Sequence, residues 1–357
     1  MRFWAISQGS NSDVDFTVND LPLVSIIIVT WNSAAYFSRC LECLAAQTFK
    51  DFEVVLIDNG SKDGCLDGVE NHMPVLRLQV ERLGENKGFA AANNLGAHMA
   101  QGRWLALLNS DAFPETNWLE ELLKAAKNNP EFSFFASRQL QENAPNLLDG
   151  AGDIFHISGL AWRRFAGWPS AQFGLETEEV FSPCAAAALY SREAFLRVGG
   201  FDEDFFSYHE DVDLGFRLRL QGFRSLYVPD AIVLHAGSAT LGAQSDFALY
   251  HWQRNYIWSF VQNMPSALLW EALPSHLMAN IIHQISYTFQ GRGRILWKAK
   301  KDALCGLSHA LHKRRKIQKM RKAGNRELLK MMERSWLQPY LLGYHIRKIR
   351  RSMLLSQ

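Results

Sequence analysis

An α/β domain with a mostly parallel central sheet, followed by a basic helical extension, is what the sequence predicts, and three observations predict it. Between residues 24 and 128, short β-branched runs alternate with segments of helical periodicity, the pattern of parallel strands joined by crossover helices. Composition is globular, 48% hydrophobic and 21% charged over 357 residues, without low-complexity tracts or internal repeats. Charge is split: from Arg292 onward 19 Lys or Arg face 3 Asp or Glu, which leaves 19 against 33 before it. An acidic body with a basic tail points to an anionic surface as the tail's partner.

The elements follow in order. Residues 24–29, VSIIIV, have the β-branched content of a strand buried on both faces. Residues 34–47 place Phe37, Leu41 and Leu44 at helical spacing, and residues 53–58, EVVLID, read as a second buried strand, completing a β-α-β unit. A strand at 75–80, a helix over 90–101, a strand at 104–109 and an amphipathic helix over 117–128 continue the alternation. Further on, residues 211–221 read as a helix stopped by Gly222, and the segment 224–238 as a strand ending at His235. In sheets of this kind ligands bind beyond the carboxyl ends of the strands. The residues to inspect there are Thr30, Trp31 and Asn32, then Asp58, Asn59 and Gly60, then Glu85, Asn86 and Lys87, and Asn109, Ser110 and Asp111.

Several classes are excluded. Neither G-x-G-x-x-G nor G-x-x-x-x-G-K-[ST] occurs, so a Rossmann dinucleotide site and a P-loop lack support. Five cysteines are an odd number for a disulfide framework, and Cys40 and Cys43 form a C-x-x-C without a second pair, so buried thiols in a reducing compartment are expected. The first residues lack the long apolar core of a signal peptide. Residues 267–290 are interrupted by Glu271, Pro274 and His276, so they do not read as a membrane span. A cytoplasmic protein with membrane contact at its surface is the expectation.

Four constellations carry candidate chemistry, each beside a plain structural account. Asp111 ends an apolar strand in LLNSDAF, where a lone acid could serve a divalent cation whose other ligands are phosphates and water, or a loop. VVLIDNGSKDG could hold a nucleoside or be a turn. GENKGFAAANNLGA places Asn93 and Asn94 inside a helix, against their propensity. FFSYHEDVDLGFRLRLQGF crowds Tyr208, His209, Glu210, Asp211 and Asp213 ahead of an apolar run. Asp213 is accounted for by the helix's positive end and by Arg217 at i+4, and is expected to tolerate change. Glu210 and Asp211 are not covered by that account. His235 follows its strand as Asp111 does, and could join it on a metal.

Together these stretches, with LDGAGD and RNYIWSFVQNMP, resemble glycosyltransferase family 2 and most of all its bacterial rhamnosyltransferase-type members, in the family's order over residues 24 to about 265. The resemblance implies a GT-A fold and an inverting transfer of L-rhamnose or a similar hexose from a nucleoside diphosphate sugar, dTDP- or UDP-linked, to a hydroxyl of a lipid-linked or surface polysaccharide acceptor. By position it implies Thr30, Trp31, Asn32, Asp58, Asn59, Asn86, Lys87, Gly88, Asn94, Asn109, Ser110 and Asp111 around the donor. Asp111 and His235 would hold Mg2+ or Mn2+, Asp211 with Glu210 would be catalytic, and Gly200, Phe201, Asp202 and His209 would meet the acceptor. A helix N-terminus would keep Asp211 ionised. Asn109 stands where the often-quoted D-x-D motif has its first acid, so one acidic ligand is implied. The implied layout is an N-terminal extension (1–21), a transferase domain (22–262, donor half 22–130 and acceptor half 131–262) and a C-terminal basic region (263–357).

Beyond Gly291, Leu304, Leu307 and Leu311 fall on one helical face among lysines and arginines, and Trp336, Tyr340 and Tyr344 repeat every four. A basic amphipathic helix with aromatics suits the inner membrane surface; a helical cap packed on the domain is the plainer alternative. No nucleic-acid-binding motif accompanies the charge. A nucleotide-sugar sensor or assembly scaffold without turnover is a second class of function, and a nucleotidyltransferase with a related sheet a third, which the absence of a Gly-rich, Lys- or Arg-bearing loop after IIIVT disfavours.

Overall fold

The computed structural model describes residues 21–69, 76–237 and 245–340. Its elements run β1 (Val24–Thr30), α1 (Ala34–Ala45), β2 (Phe52–Asp58), β3 (Arg77–Arg82), α2 (Phe89–Met99), β4 (Trp104–Leu108), β5 (Ala112–Pro114), α3 (Trp118–Asn128), β6 (Phe134–Gln141) and β7 (Ala144–Gly150). They continue with β8 (Asp153–His156), β9 (Ala161–Arg163), β10 (Glu178–Val180), β11 (Ala187–Ser191), α4 (Arg192–Arg197), α5 (Glu210–Leu220) and β12 (Ser225–His235). The C-terminal part is α6 (Asp246–Asn263), α7 (Ser266–Phe289), α8 (Gly293–Cys305), α9 (Leu307–Met320), α10 (Asn325–Lys330) and β13 (Met332–Glu333).

The main sheet has the order β10-β12-β6-β11-β4-β1-β2-β3. Its β3, β2, β1 and β4 are mutually parallel, as the β-α-β reading requires. The sheet is mixed nonetheless, because β11 enters antiparallel between β4 and β6. β1 and β2 are buried along both faces, which is why their β-branched runs carry almost no alternation. One face is covered by α1 and α3 through Phe37, Leu41, Leu44, Trp118 and Leu122. The other is covered by α2, α4 and α5 through Ala90, Ala97, Phe195, Leu214 and Leu218. Burying each of the larger side chains contributes about 1.5–3 kcal/mol. Alanines on α2 let that helix lie close to the sheet, and a Cβ on Gly96 would sit 2.6 Å from Ile27 Cγ2.

The C-terminal helices are sewn to this body. β13 pairs parallel with β8 in a small sheet that also holds β9, and Phe155, Phe216, Phe260 and Leu268 share one cluster beneath it. α8 and α9 lie against α6, where Trp258 Nε1 donates to the Ala303 carbonyl at 2.9 Å and Arg314 donates to the Val261 carbonyl at 2.7 Å. The single basic helix expected beyond Gly291 is therefore two helices divided at Gly306, whose added Cβ would meet Trp258. Leu304 and Leu311 are exposed on different helices. Tyr344 lies outside the described residues. Pro274 does not end the segment before it, for α7 runs through it for 24 residues. Among the described residues no helix is long and apolar enough to cross a membrane.

Candidate functional site

A cleft of about 610 Å³ opens where β1, β2, β4 and β12 end. Trp31, Asn59, Asn109, Ser110, Asp111 and His235 reach it from those ends. Asn86 and Gly88 close one side, and residues 206–212 close the other. Asn59 organises this side of the cleft: its Nδ2 donates to Asn86 Oδ1 at 3.0 Å and its Oδ1 accepts from the Lys87 amide at 2.8 Å. Gly88, at φ +89°, has no space for a side chain, since an added Cβ would stand 2.6 Å from the Phe206 carbonyl oxygen.

Asp111 and His235 stand side by side at the ends of their strands. His235 Nε2 lies 3.4 Å from Asp111 Oδ1, and its Nδ1 lies 2.8 Å from Asp149 Oδ2. Burial opposes the imidazolium, yet Asp111 and Asp149 together hold the His235 pKa above its usual range. Asp149 also pairs with Arg163, and although burial alone would raise it, Arg163 and His235 bring it down to about 2. An acid orienting a histidine whose other nitrogen faces the site is the arrangement that supports a metal-ligating imidazole. Asp111 and His235 could supply two ligands to a divalent cation, which would need others from a bound ligand; among the described residues no group of three or more His, Cys, Asp and Glu gathers to hold one unaided.

Across the cleft, Glu210 and Asp211 begin α5. Asp211 Oδ2 accepts from the Ala185 amide at 3.2 Å and Oδ1 from the Val212 amide at 2.8 Å. These bonds and Arg163 favour the carboxylate, but burial outweighs them and the Asp211 pKa is raised, which corrects the expectation that the helix N-terminus decides its charge. Glu210 is pushed well above its ordinary value by burial and then by the charge of Asp211. Asp153, which accepts from Ser182 Oγ at 3.0 Å, is raised likewise. The approach to α5 is strained: Phe206, Tyr208 and His209 have φ of 65°, 69° and 71°. Asn255 holds it, donating through Nδ2 to the carbonyls of Phe205, Ser207 and Tyr208. Strain of this kind survives only where surrounding contacts impose it, and it gathers at functional sites. His209 lines the cleft, with burial lowering its pKa to about 3.

Other expected positions lie elsewhere. Thr30 is wholly buried against Ser33 and Cys65, Asn32 Oδ1 accepts from the Lys62 amide, and Asp58 Oδ1 accepts from the Ser61 amide. Lys87 is exposed beside Glu85. These four shape the loops behind the Asn59 side and do not line the cleft. Asn94 is a structural clamp: its amide donates to the Phe201 carbonyl and Glu203 while its Oδ1 accepts from the Phe201 amide. That resolves the oddity of an asparagine inside α2. It also corrects Gly200, Phe201 and Asp202 as acceptor contacts, since Gly200 abuts Asn94, Phe201 is buried in the core, and Asp202 pairs with Lys313. Asp213 is corrected as well: it is 0% exposed, and its ion pair with Arg217 and its bond from Asn263 are internal.

Sequence reasoning missed Asp149, Asp153, Arg163, Trp162, Phe247 and Trp252, all but the first on the cleft wall. The acids of LDGAGD bracketing two glycines were the one signal for the first pair.

Residues 25–199 match glycosyl transferase family 2. The chain is similar to the N-acetylglucosaminyl-diphospho-decaprenol L-rhamnosyltransferase of Mycobacterium tuberculosis, at 33% identity over 259 residues, 64% of this chain and 81% of that one. Among solved structures it resembles GalNAc-T7 with UDP, GalNAc and Mn2+, with TM-score 0.55 and 18% identity over 70% of this chain and 49% of that one. It also resembles the mannosyltransferase PcManGT from Pyrobaculum calidifontis in complex with GDP-Man and Mn2+, with TM-score 0.50 and 18% identity over 84% of each chain. The two structural likenesses are likenesses of fold.

Proposed function

The chain belongs to glycosyl transferase family 2 and has its GT-A fold, and from that premise we propose an inverting, metal-assisted transfer of L-rhamnose or a similar hexose to a lipid-linked glycan. The observation that carries this reading is the pairing of two unlike acid sites across one cleft, Asp111 with His235 on one wall and Asp211 with Glu210 on the other. The donor, a dTDP- or UDP-sugar, lies with its nucleoside toward Trp31 and Asn59 and its diphosphate toward Asn109 and Asp111. The mycobacterial relative's name supplies the sugar and the acceptor class, L-rhamnose onto a diphospho-decaprenol-linked N-acetylglucosamine. In this reading the donor half is residues 22–130, the acceptor half 131–262, and the region from 263 on places the enzyme at the inner face of the cytoplasmic membrane.

The acceptor hydroxyl oxygen forms its bond to the anomeric carbon while the bond from that carbon to the diphosphate oxygen breaks. The hydroxyl proton passes to Asp211. Glu210, which holds its proton more tightly, stays neutral beside it and spares Asp211 a second adjacent charge. Mg2+ or Mn2+ held by Asp111 and His235 would offset the charge appearing on the diphosphate leaving group. Asp149 keeps His235 oriented, and burial of the far wall keeps bulk water from competing for the sugar.

The test is Asp211→Asn. Transfer should fall by about 10²–10⁴-fold with donor affinity by calorimetry unchanged; donor binding lost in parallel with turnover would make Asp211 a structural residue and refute the assignment.

A further inference from the structure

The outer side of α7 is apolar and open. Trp270, Leu277, Ile281, Ile285 and Phe289 are each more than half exposed, Phe289 at 89%. Their steps of seven and four residues keep them on one side of the helix. Contiguous apolar surface of this extent marks a contact with another phase or molecule.

α8 returns antiparallel beside it, where Lys300 Nζ donates to the Asn280 carbonyl at 2.5 Å and Gln284 Nε2 to the Gly293 carbonyl at 3.2 Å. On its own open side Trp297 and Leu304, 67% and 65% exposed, alternate with exposed Arg294, Lys298 and Lys301. Across residues 293–320 nine Lys or Arg face a single acid, Asp302. An apolar face carrying tryptophan and bordered by cations is the composition of a helix that lies in a membrane interface. A second copy of this chain suits the face less well, since pairing it with itself would oppose two cationic borders. α7 itself links this face to the site: Trp252, on the cleft wall, packs at 5.5 Å between ring centroids on His283, which is two residues from Ile281 and Ile285 and so on the inner side of the same helix.

We propose that the open faces of α7 and α8 dock on an anionic lipid bilayer, apolar side chains in the acyl boundary and Arg294, Lys298 and Lys301 on headgroup phosphates, with an acceptor anchored in that bilayer reaching the cleft past Trp252. The contact thus starts in α7, ahead of the basic tail. Its purpose, though not its surface chemistry, rests on the lipid-linked acceptor proposed above.

The experiment is co-sedimentation of the full chain with vesicles of phosphatidylcholine alone or with about one third phosphatidylglycerol, paired with light scattering after size exclusion. The full chain should bind the anionic vesicles at least about tenfold more strongly than the neutral ones. I281E/I285E/F289E should lose at least about tenfold of that binding while keeping its melting temperature and its transfer to a water-soluble acceptor analogue. Equal binding by parent and variant, or none by either, overturns the docking, as does a parent dimer that the variant dissolves. Loss of vesicle binding with soluble transfer intact removes the docking alone; vesicle binding without transfer to any acceptor removes the proposed reaction and leaves the docking standing.

Discussion

Asp213→Ala should be among the most damaging single changes in the chain. Asp213 is 0% exposed, accepts from Arg217 Nε at 2.7 Å through one oxygen, and accepts from Asn263 Nδ2 at 2.6 Å through the other. Arg217 is itself buried, its remaining described bond going from Nη1 to the Val198 carbonyl at 2.9 Å. Alanine leaves a guanidinium in the core without its counter-charge, which costs about 3–5 kcal/mol. The acceptor lost by Asn263 overlaps with that cost, so the total stays in the upper part of the same range. Against a net stability of about 5–15 kcal/mol for a native domain, about a quarter of the margin or more is removed. Urea unfolding followed by tryptophan fluorescence measures it. The double change Asp213→Leu with Arg217→Met removes both charges and should recover most of the loss, because a buried pair replaced by apolar groups is often neutral. A single variant within about 1 kcal/mol of the parent, or a double variant no better than the single, refutes the reasoning.

Two further outcomes follow from the site. Asp149→Asn removes the charge that orients His235, so Mn2+-dependent donor affinity should weaken by about 10–100-fold while metal-free nucleotide binding holds in calorimetry with EDTA; equal loss in both conditions would make Asp149 purely structural. The acid limb of the kcat/KM profile should lie above the ordinary aspartate value of 3.8, because burial raises Asp211 and the base works only when ionised. In Arg163→Met that limb should move to higher pH, since Arg163 favours the Asp211 carboxylate; an unmoved limb would show that a different group is titrating.

How far this was legible depends on whether a residue's role is set by its neighbours in sequence. β1, β2 and β4 announce themselves because strands buried on both faces require unbroken apolar runs, and Asp111 and His235 are legible because each follows such a run. β11, AALYS, carries no such mark, and its antiparallel insertion beside β4 is decided by pairing across the sheet. Asn94 and Asp213 share a limit: each has a partner far along the chain that no local pattern announces. Phe201 is 107 residues from Asn94, and Asn263, which joins Arg217 on Asp213, is 50 residues away. Asp149 shows the same limit, since its histidine is 86 residues away.

The two walls of the cleft treat their acids oppositely, and one residue links them. Asp149 is held near a pKa of about 2 and serves as a permanent charge. Asp153, Glu210 and Asp211 are all raised, first of all by burial, so protons are retained on that wall. Arg163 pairs with Asp149, and its charge also favours the ionised forms of Asp153 and Asp211. Of the three raised acids, Asp211 alone combines that cation with two backbone N–H donors on its oxygens, whereas Glu210 has the charge of Asp211 against it. Charge on that wall therefore settles on Asp211 first, and this is the selection a single general base requires: environments that push neighbouring acids apart assign their roles. The same division explains why the acids cannot be exchanged by moving the motif along the helix. The next carboxylate along the helix, two positions later, is Asp213, which is wholly buried, committed to Arg217 and Asn263, and off the cleft wall that Asp211 lines.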